Sequence, residues 1–169
     1  TLGDAMTVSN ADVLRGFYNS TKAMGAKSVS SDAYFLIDGH EDLGLVTKQF
    51  PWPVLGVAGE IETPGPLGIA GWQPQQLKVN QQGQITFSET VTGRVQRFLD
   101  EVVANGGYFN ATVFEGTPDN FYRACKIRDC FFQPDLPDRD WENRSQVTLI
   151  AGTLFFHYFG ESEVGQAAA

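Results

Sequence analysis

Apolar residues repeat along this chain in two periods, and the longer period marks one strong helix. Five apolar residues recur at spacings of three and four, which places them on one face of a helix. These residues are Val95, Phe98, Leu99, Val102 and Val103. Charged side chains take the opposite face, Thr90 or Thr92 offers an N-cap, and Gly106–Gly107 ends the segment.

Most of the remaining regular structure is predicted to be β-strand. Several segments alternate between apolar and polar residues or are apolar throughout. They are Ala33–Asp38, Gln84–Thr90, Tyr108–Phe114, Phe121–Gln133 and Gln146–Phe159. Because strands both precede and follow one amphipathic helix, we expect a mainly β, α+β fold. Its predicted form is two packed antiparallel sheets or a β-barrel-like sandwich, with the helix at its flank.

The stretch from Gly39 to Gly83 is rich in proline and glycine, which interrupt regular structure. Only short β pieces are predicted inside it, at Leu43–Gln49 and Gln75–Val79. The stretch also contains Trp52 and Trp72, whereas disordered segments generally lack tryptophan. We therefore expect an extended, aromatic-bearing loop at 39–83 that is buried against another surface.

The chain is expected to contain one domain with two appendages. A partial apolar stripe over Asn10–Ala26 predicts a short helix or an arm, so residues 1–32 are interpreted as an N-terminal arm. Residues 33–161 are predicted to form the β domain. Residues 162–169 are mostly small and are predicted to be a flexible tail.

Charge and hydropathy restrict the function. The formal net charge is −8 at pH 7, so the surface as a whole repels nucleic acid. No apolar run approaches the ~20 residues of a membrane-spanning helix. The N-terminus has no basic-then-apolar signal pattern. We therefore expect a protein that folds in a cytoplasm and has no membrane partner.

The sequence contains no recognisable pattern of catalytic or ligand-binding residues. It lacks a nucleophile elbow, a phosphate-binding loop and a dinucleotide fingerprint. Cys125 and Cys130 lack the further ligands of a zinc site, so two buried thiols are expected, with a local disulfide as the alternative. His157 is interpreted as a packed, hydrogen-bonded core or interface residue, and His40 as a turn residue. The acidic loop 135–142 lacks the calcium-loop pattern. We predict no enzyme activity, metal or cofactor.

Four features occur in a defined order between Tyr34 and Glu161. They are a strand followed by the Pro/Gly-rich loop Phe50–Gly71, the strand Gln84–Thr90 leading into the Val95–Val103 helix, an acidic Asp138–Glu142 turn containing Trp141, and an aromatic strand end at Phe155–Phe159. In the order and residue composition of these features, the chain resembles the tail tube proteins of contractile-tailed bacteriophages. These proteins are related to the inner-tube proteins of type VI secretion.

The resemblance implies a structural subunit. Six copies would form a ring, and rings would stack into a hollow tube through which double-stranded DNA leaves the capsid without specific binding. The implied partners are further copies of the chain and the tail sheath, baseplate and tail terminator proteins. The implied location is the virion tail, assembled in the cytoplasm of the bacterial host. A type VI secretion-like tube is the first alternative.

The resemblance also places the expected contact residues, because aromatic residues are enriched at the cores of interfaces. The candidates for inter-ring or inter-subunit contact are Phe50, Trp52, Pro53, Val54, Trp72, Gln75, Phe156 and Tyr158. The alternative for the tryptophans is that they close one end of the subunit's own core. The net charge predicts an acidic bore that repels DNA. Its candidate residues are Glu60, Glu62, Glu89, Glu115 and Asp119.

A second alternative is a monomeric β-sandwich that binds carbohydrate. The three tryptophans, Trp52, Trp72 and Trp141, would then form a stacking platform for sugar rings. Such a module would remain a monomer or a small closed oligomer.

Overall fold

The computed structural model describes residues 10–168, which divide into two compact units between Asp32 and Ala33. The first unit contains helix α1, Ala11–Ala23. Asn10 caps this helix, because its side-chain oxygen accepts the backbone N–H of Val13 at 3.0 Å. No residue of α1 is buried. The predicted N-terminal arm also includes residues 1–9, which lie outside the described residues.

The described residues of the second unit, called the β unit below, form strands β1 to β9 and helix α2. The strands are β1 (Tyr34–Ile37), β2 (Thr47–Gln49), β3 (Glu60–Pro64), β4 (Ala70–Pro74), β5 (Asn80–Ser88), β6 (Phe109–Thr117), β7 (Asn120–Pro134), β8 (Leu149–His157) and β9 (Ser162–Val164). Helix α2 spans Arg94–Ala104. Short 3-10 turns lie at Glu41–Leu45, Pro66–Gly68 and Gln166–Ala168.

The strands pair antiparallel in two sheets. One seven-stranded sheet has the order β1-β6-β7-β8-β5-β2, with β9 also paired to β7, and β3 and β4 form a separate two-stranded sheet. Strand β7 joins the two halves of the large sheet, because it pairs with both β6 and β8. Its pairing register with β8 shifts between Arg128 and Phe131, where Asp129 adopts a φ of 47°. Such a bulge bends a strand and lets it continue in a new direction.

Both halves of the large sheet contribute to one hydrophobic core. Its most buried strand residues, each at most 1% exposed, include Phe35 and Ile37 of β1, Ile85 and Phe87 of β5 and Leu154 of β8. Helix α2 adds Val95 and Phe98, which are 0% and 2% exposed. The ring of Phe98 meets Phe109 of β6 edge-on, with centroids 5.4 Å apart. The predicted apolar face of α2 therefore covers the sheet.

The predicted fold class is confirmed. The chain is mainly β with antiparallel sheets, and the amphipathic helix predicted over Val95–Val103 is α2. Among the described residues the large sheet ends at β1 and β2, so it forms an open sheet and not a closed barrel.

The chain end differs from the predicted flexible tail. Residues Ser162–Val164 form β9 and pair with Arg123, Ala124 and Cys125 of β7. The preceding Glu161 accepts the backbone N–H of Lys126 at 2.9 Å, and its carboxylate accepts Arg128 Nη2 at 2.8 Å. A three-residue strand is too short to show an alternating pattern, so the sequence does not predict it.

The predicted loop at 39–83 contains more regular structure than its composition suggests. It includes two 3-10 turns, strand β2, the hairpin β3–β4 and the start of β5. The β piece predicted at Gln75–Val79 is reduced to an isolated bridge between Val57 and Leu77.

Candidate assembly surface

The hairpin β3–β4 is the central part of a longer two-stranded ladder. Beyond the named strands, Ala58 N–H donates to the Gln76 carbonyl and Lys78 N–H donates to the Gly56 carbonyl, both at 2.9 Å. The ladder therefore extends from Gly56 to Lys78, and we call residues 56–78 the hairpin arm. No residue of the hairpin arm is buried, so it lacks a core of its own.

The hairpin arm exposes large apolar side chains at its tip and along both strands. Leu67 at the tip is 105% exposed, and Trp72 is 74% exposed. The other large apolar residues of the arm are Val57, Ile61, Ile69 and Leu77, which are 54%, 42%, 68% and 50% exposed. Exposed apolar clusters of this kind mark interaction surfaces.

The β3–β4 register sets the composition of each face of the arm. Glu62 lies opposite Trp72, and Glu60 lies opposite Pro74, so both acids share a face with the tryptophan. Ile61 lies opposite Gln73 on the other face. One face therefore combines an aromatic ring with carboxylates, and the other is uncharged and combines Ile61 with polar side chains such as Gln73.

The base of the hairpin arm is fixed to the β unit by predicted contact residues. The backbone carbonyl of Val54, just before the arm, accepts Gln81 Nε2 of β5 at 2.8 Å. Within the arm, Gln75 Nε2 donates to the Glu60 carbonyl at 3.0 Å and joins its two strands. Phe50 packs on Phe35 with ring centroids 5.5 Å apart. These contacts hold the root of the arm while its tip remains exposed.

The two loop tryptophans have different environments. Trp52 packs against the core, and the neighbouring Pro53 is buried. Trp72 is exposed on the hairpin arm. The alternative that a tryptophan closes the subunit's own core therefore applies to Trp52, and Trp72 is available for contact.

Two of the predicted contact residues require correction. Phe156 and Tyr158 are only 2% and 5% exposed, because they lie on the core side of β8 and of the residues that follow it. The Tyr158 hydroxyl donates to Cys125 Sγ at 3.6 Å, and burial raises the pKa of Tyr158 to about 12. Both residues belong to the core and offer no surface to a partner.

The outward-facing neighbours of these residues form an aromatic cluster that the sequence analysis missed. Phe155 and Phe131 stack with centroids 4.9 Å apart, and Tyr108 meets Phe131 edge-on at 6.2 Å. A cavity of about 420 Å³ beside them is also lined by His157. His157 Nδ1 is buried and has no hydrogen-bond partner among the described residues, which differs from the predicted hydrogen-bonded histidine. Burial alternates along β8, but its sequence is largely apolar on both faces, so the sequence alone does not separate Phe155 from Phe156.

The five acids predicted for the bore do not form one cluster. Glu60 and Glu62 lie on the hairpin arm, and Asp119 is exposed in the turn between β6 and β7. Glu115 accepts Arg123 Nη2 at 2.7 Å. The Glu89 carboxylate accepts the backbone N–H groups of Val95 and Gln96 at the start of α2, both at 3.1 Å. Glu89 and Glu115 thus have structural partners, and the other three are surface acids.

His40 contacts two side chains of α2, and the two cysteines are buried. His40 Nε2 lies 3.6 Å from Glu101, and its ring meets Phe98 edge-on at 4.9 Å. Cys125 and Cys130 are buried as free thiols. Burial and the nearby Asp129 and Asp38 carboxylates raise the pKa of Cys130 to about 12.

No group of three or more His, Cys, Asp or Glu side chains that could hold a metal ion occurs within residues 10–168. Over the same range, no helix has the length and apolarity that a membrane crossing requires.

Comparison with solved structures identifies the fold as one found in contractile injection machines. A chain of the sheath-tube complex of an extracellular contractile injection system (PVC, extended state) matches with a TM-score of 0.58 and 11% identity, over 86% of this chain and 97% of that chain. A chain of the anti-feeding prophage cap, a tube-terminating cap, matches with a TM-score of 0.56 and 10% identity, over 83% and 93%.

A third match connects the fold to a symmetric assembly. A chain of the six-fold symmetrised anti-feeding prophage baseplate matches with a TM-score of 0.53 and 11% identity, over 86% of this chain and 100% of that chain. No protein-family model matches the sequence, and no curated protein matches it either. The chain is therefore similar to these proteins in fold, and this similarity confirms that its fold resembles that of contractile tail tube proteins.

Proposed function

We propose that this chain is a structural subunit of a contractile tail tube. Six copies form a ring, and rings stack into a hollow conduit. The observation that carries the proposal is that nearly the whole of each matched chain is covered by this one, in the sheath-tube complex and in the tube-terminating cap. The six-fold symmetrised baseplate supports the choice of a hexamer. Sheath, baseplate and terminator proteins are the proposed partners, and the role is not enzymatic.

The hairpin arm is the proposed contact between stacked rings. Its exposed apolar residues are not buried by the described part of the chain. Stacking of rings buries them against a second copy. Rings and stacks use heterologous contacts, in which two different patches of each subunit meet. The aromatic cluster of Tyr108, Phe131 and Phe155, with the unpartnered His157 Nδ1, is the proposed second patch.

The first test is whether the purified, concentrated protein forms rings or tubes in negative-stain electron microscopy. We expect hollow particles of uniform width. Seeding with baseplates or tube fragments provides the nucleus if spontaneous assembly is slow. Monomers that fail to polymerise even when seeded would contradict the proposal and favour the carbohydrate-binding alternative.

Variants of the hairpin arm test the inter-ring role. An aromatic hot spot contributes about 2 kcal/mol or more, which is roughly a thirtyfold change in affinity. We therefore expect Trp72→Ala and Leu67→Asp to block stacking while separate rings persist. Gln73→Ala, on the same arm, is the matched control and should stack normally. Normal tubes from both test variants would show that the hairpin arm is not the contact between stacked rings.

In a phage tail, the proposed cargo is double-stranded DNA and the bore is acidic. Asp119 is the preferred bore candidate, because Glu89 and Glu115 already have structural partners and Glu60 and Glu62 share the Trp72 face of the hairpin arm. Replacing the bore acids with lysine should slow genome ejection without stopping ring assembly, since cations would hold the DNA phosphates. Ejection at the unchanged rate by such virions would argue against an acidic bore.

An injection-system tube without a genome is the second candidate, because the matched chains come from an extracellular contractile injection system and an anti-feeding prophage. The two candidates share the tube and differ in cargo. Isolation of the native particle decides between them: a capsid filled with DNA supports the phage tail, and a capsid-free particle supports the injection system.

A further inference from the structure

The cavity beside the aromatic cluster has an incomplete lining in the single chain. Its volume is about 420 Å³, and its lining includes Phe131, Phe155, His157, Lys78 and Gln82. Pockets of about 300–1,000 Å³ hold small molecules, so an indole ring fits in this space. His157 Nδ1 is buried without a hydrogen-bond partner among the described residues, and a buried polar atom without a partner costs free energy. The cavity therefore fits an aromatic side chain that also donates a hydrogen bond.

Trp141 is a side chain of this kind. It lies in the β7–β8 loop, residues 135–148, and is 97% exposed. The Asp140 carboxylate accepts the backbone N–H of Glu142 at 3.0 Å, and the Asp140 carbonyl accepts the N–H of Asn143 at 3.3 Å. These bonds form the turn that presents the ring to solvent. The indole carries one N–H donor and no acceptor, whereas a neutral imidazole carries one accepting nitrogen.

The charged groups around the ring and the cavity are complementary. Among the residues that line the cavity, Lys78 is a cation and none is a carboxylate. Asp140 and Glu142 flank Trp141, and residues 135–144 contain four acids and two arginines. Insertion of the Trp141 ring therefore brings carboxylates towards Lys78 and places no acid against another acid of the lining.

Trp141 and the cavity of the same chain lie at opposite ends of β8. The cavity lies at the end formed by Phe155 and His157. The loop lies at the other end, because Asp140 and Asn143 line a second cavity together with Leu149. Phe155 follows Leu149 by six residues, which is about 20 Å along a strand. A tryptophan side chain is much shorter than this distance, so a Trp141 ring in the cavity belongs to another copy.

We infer that Trp141 of one copy inserts into the cavity beside the aromatic cluster of the next copy. Two patches at opposite ends of one element join copies head to tail, and such a contact repeats along a stack. The hairpin arm begins at the cavity end, since Asn80 of β5 pairs with His157, so the arm and the cavity contact the same neighbour. The inference rests on the proposed function and deepens it, because it names the surface that the aromatic cluster contacts.

Photo-crosslinking of the full chain tests the inference directly. Benzoylphenylalanine replaces Trp141 or, as the matched control, Leu136, which is 90% exposed in the same loop. Unlabelled and ¹⁵N-labelled chains are mixed, so that mass spectrometry distinguishes links between copies from links within one chain. We expect the Trp141 probe to link to residues 78–82 or 155–157 of the other copy. The Leu136 probe should give about tenfold fewer of these links, as for a contact difference of about 1.4 kcal/mol.

A double-mutant cycle provides the second measurement. Trp141→Ala and Phe155→Ala should each raise the protein concentration needed for tubes about thirtyfold, as for a hot spot of about 2 kcal/mol. The double variant should raise it little further, because both changes remove the same contact. In the control pair, the effects of Trp141→Ala and Trp72→Ala should multiply, because the hairpin arm is a separate contact. Near-UV circular dichroism checks that each variant folds, and the crosslinks decide alone if Phe155→Ala does not fold.

Each contrary result has a distinct meaning. Trp141 links confined to single chains, or directed to a part of the other copy away from the cavity, would overturn the Trp141 contact. Effects of Trp141→Ala and Phe155→Ala that multiply would overturn it as well. Tubes that form from Trp141→Ala at an unchanged protein concentration would overturn this contact and leave the proposed tube intact. Links from Trp141 to the cavity of another copy, in a protein that forms no tube in any variant, would support the contact and contradict the tube.

Discussion

Glu89 shows how much the role of one carboxylate depends on local geometry. It lies just beyond β5, and Gly93, at a φ of 74°, turns the chain into α2. The carboxylate thereby reaches the first N–H groups of the helix, which have no internal partner. The sequence predicts Glu89 for the bore from its charge alone, since spacing gives no information about how the Thr90–Gly93 turn folds.

The first prediction concerns this cap. Glu89→Ala should lower the free energy of unfolding by about 1–2 kcal/mol, because it removes a charged acceptor from the positive end of α2. Glu89→Gln should cost less, since one amide oxygen still accepts. Asp119→Ala, in an exposed turn, is the control and should stay within about 0.5 kcal/mol. Urea unfolding of the three variants measures the differences, and equal midpoints for Glu89→Ala and the control would contradict the capping role.

The second prediction concerns thiol reactivity. Cys130 is 0% exposed and its pKa is raised to about 12, so its thiol stays protonated at neutral pH. The folded protein should react with a thiol reagent far more slowly than the urea-unfolded chain. Because the folded pKa lies above the ordinary value of 9.0, stability from this group is complete below pH 9 and decreases as pH rises towards 12. Rapid labelling of Cys130 in the native state would show that the core opens there.

At the scale of elements, β9 depends on one ion pair beside its short ladder. The Arg128 guanidinium donates two hydrogen bonds to Glu161, and these bonds lower the pKa of the Glu161 carboxyl. β9 itself contributes three residues to the ladder on β7. The pair therefore anchors the chain between the end of β8 and the start of β9.

This pair gives the third prediction. A lowered folded pKa contributes stability that is present above the ordinary value of 4.5 and is lost as pH falls below it. The protection factors of the Val164 amide and its neighbours, which correct for the pH dependence of intrinsic exchange, should therefore fall below pH 4.5 more than those in β5. Arg128→Gln should make β9 exchange faster at neutral pH and remove most of this pH dependence. An Arg128→Gln variant that keeps the full acid sensitivity would show that other carboxylates control β9.

The elements that the sequence predicts are those with a long periodic pattern. Helix α2 and strand β5 bury one-sided or alternate apolar residues, so periodicity locates them, and β8 is located by its continuous apolar run. The hairpin arm lacks such a pattern, because both of its faces are exposed and its register comes from backbone pairing between Gly56 and Lys78. The same reason explains Phe156: its place on the strand is predictable, but its face depends on the register with β5.

At the scale of the whole molecule, assembly must overcome like-charge repulsion. Each copy carries a net charge of −8, and the proposed contacts are made by apolar groups on the hairpin arm and in the aromatic cluster. Apolar contacts are little affected by moderate salt, whereas repulsion between exposed charges is screened over a Debye length. Salt therefore separates the two contributions.

The fourth prediction is that added salt promotes assembly. The Debye length falls from about 30 Å at 0.01 M to about 8 Å at 0.15 M, so neighbouring subunits cease to repel each other over most of their surfaces. We expect the protein concentration needed for rings, measured by sedimentation, to fall as NaCl is raised over this range. The double variant Glu60→Gln/Glu62→Gln removes two charges beside Trp72. If the hairpin arm contacts another acidic surface, added NaCl should lower the concentration needed for rings less in this variant than in the unaltered chain. Assembly that weakens with salt would mean instead that attractive ion pairs hold the copies together, and the apolar hairpin arm would no longer be the main contact.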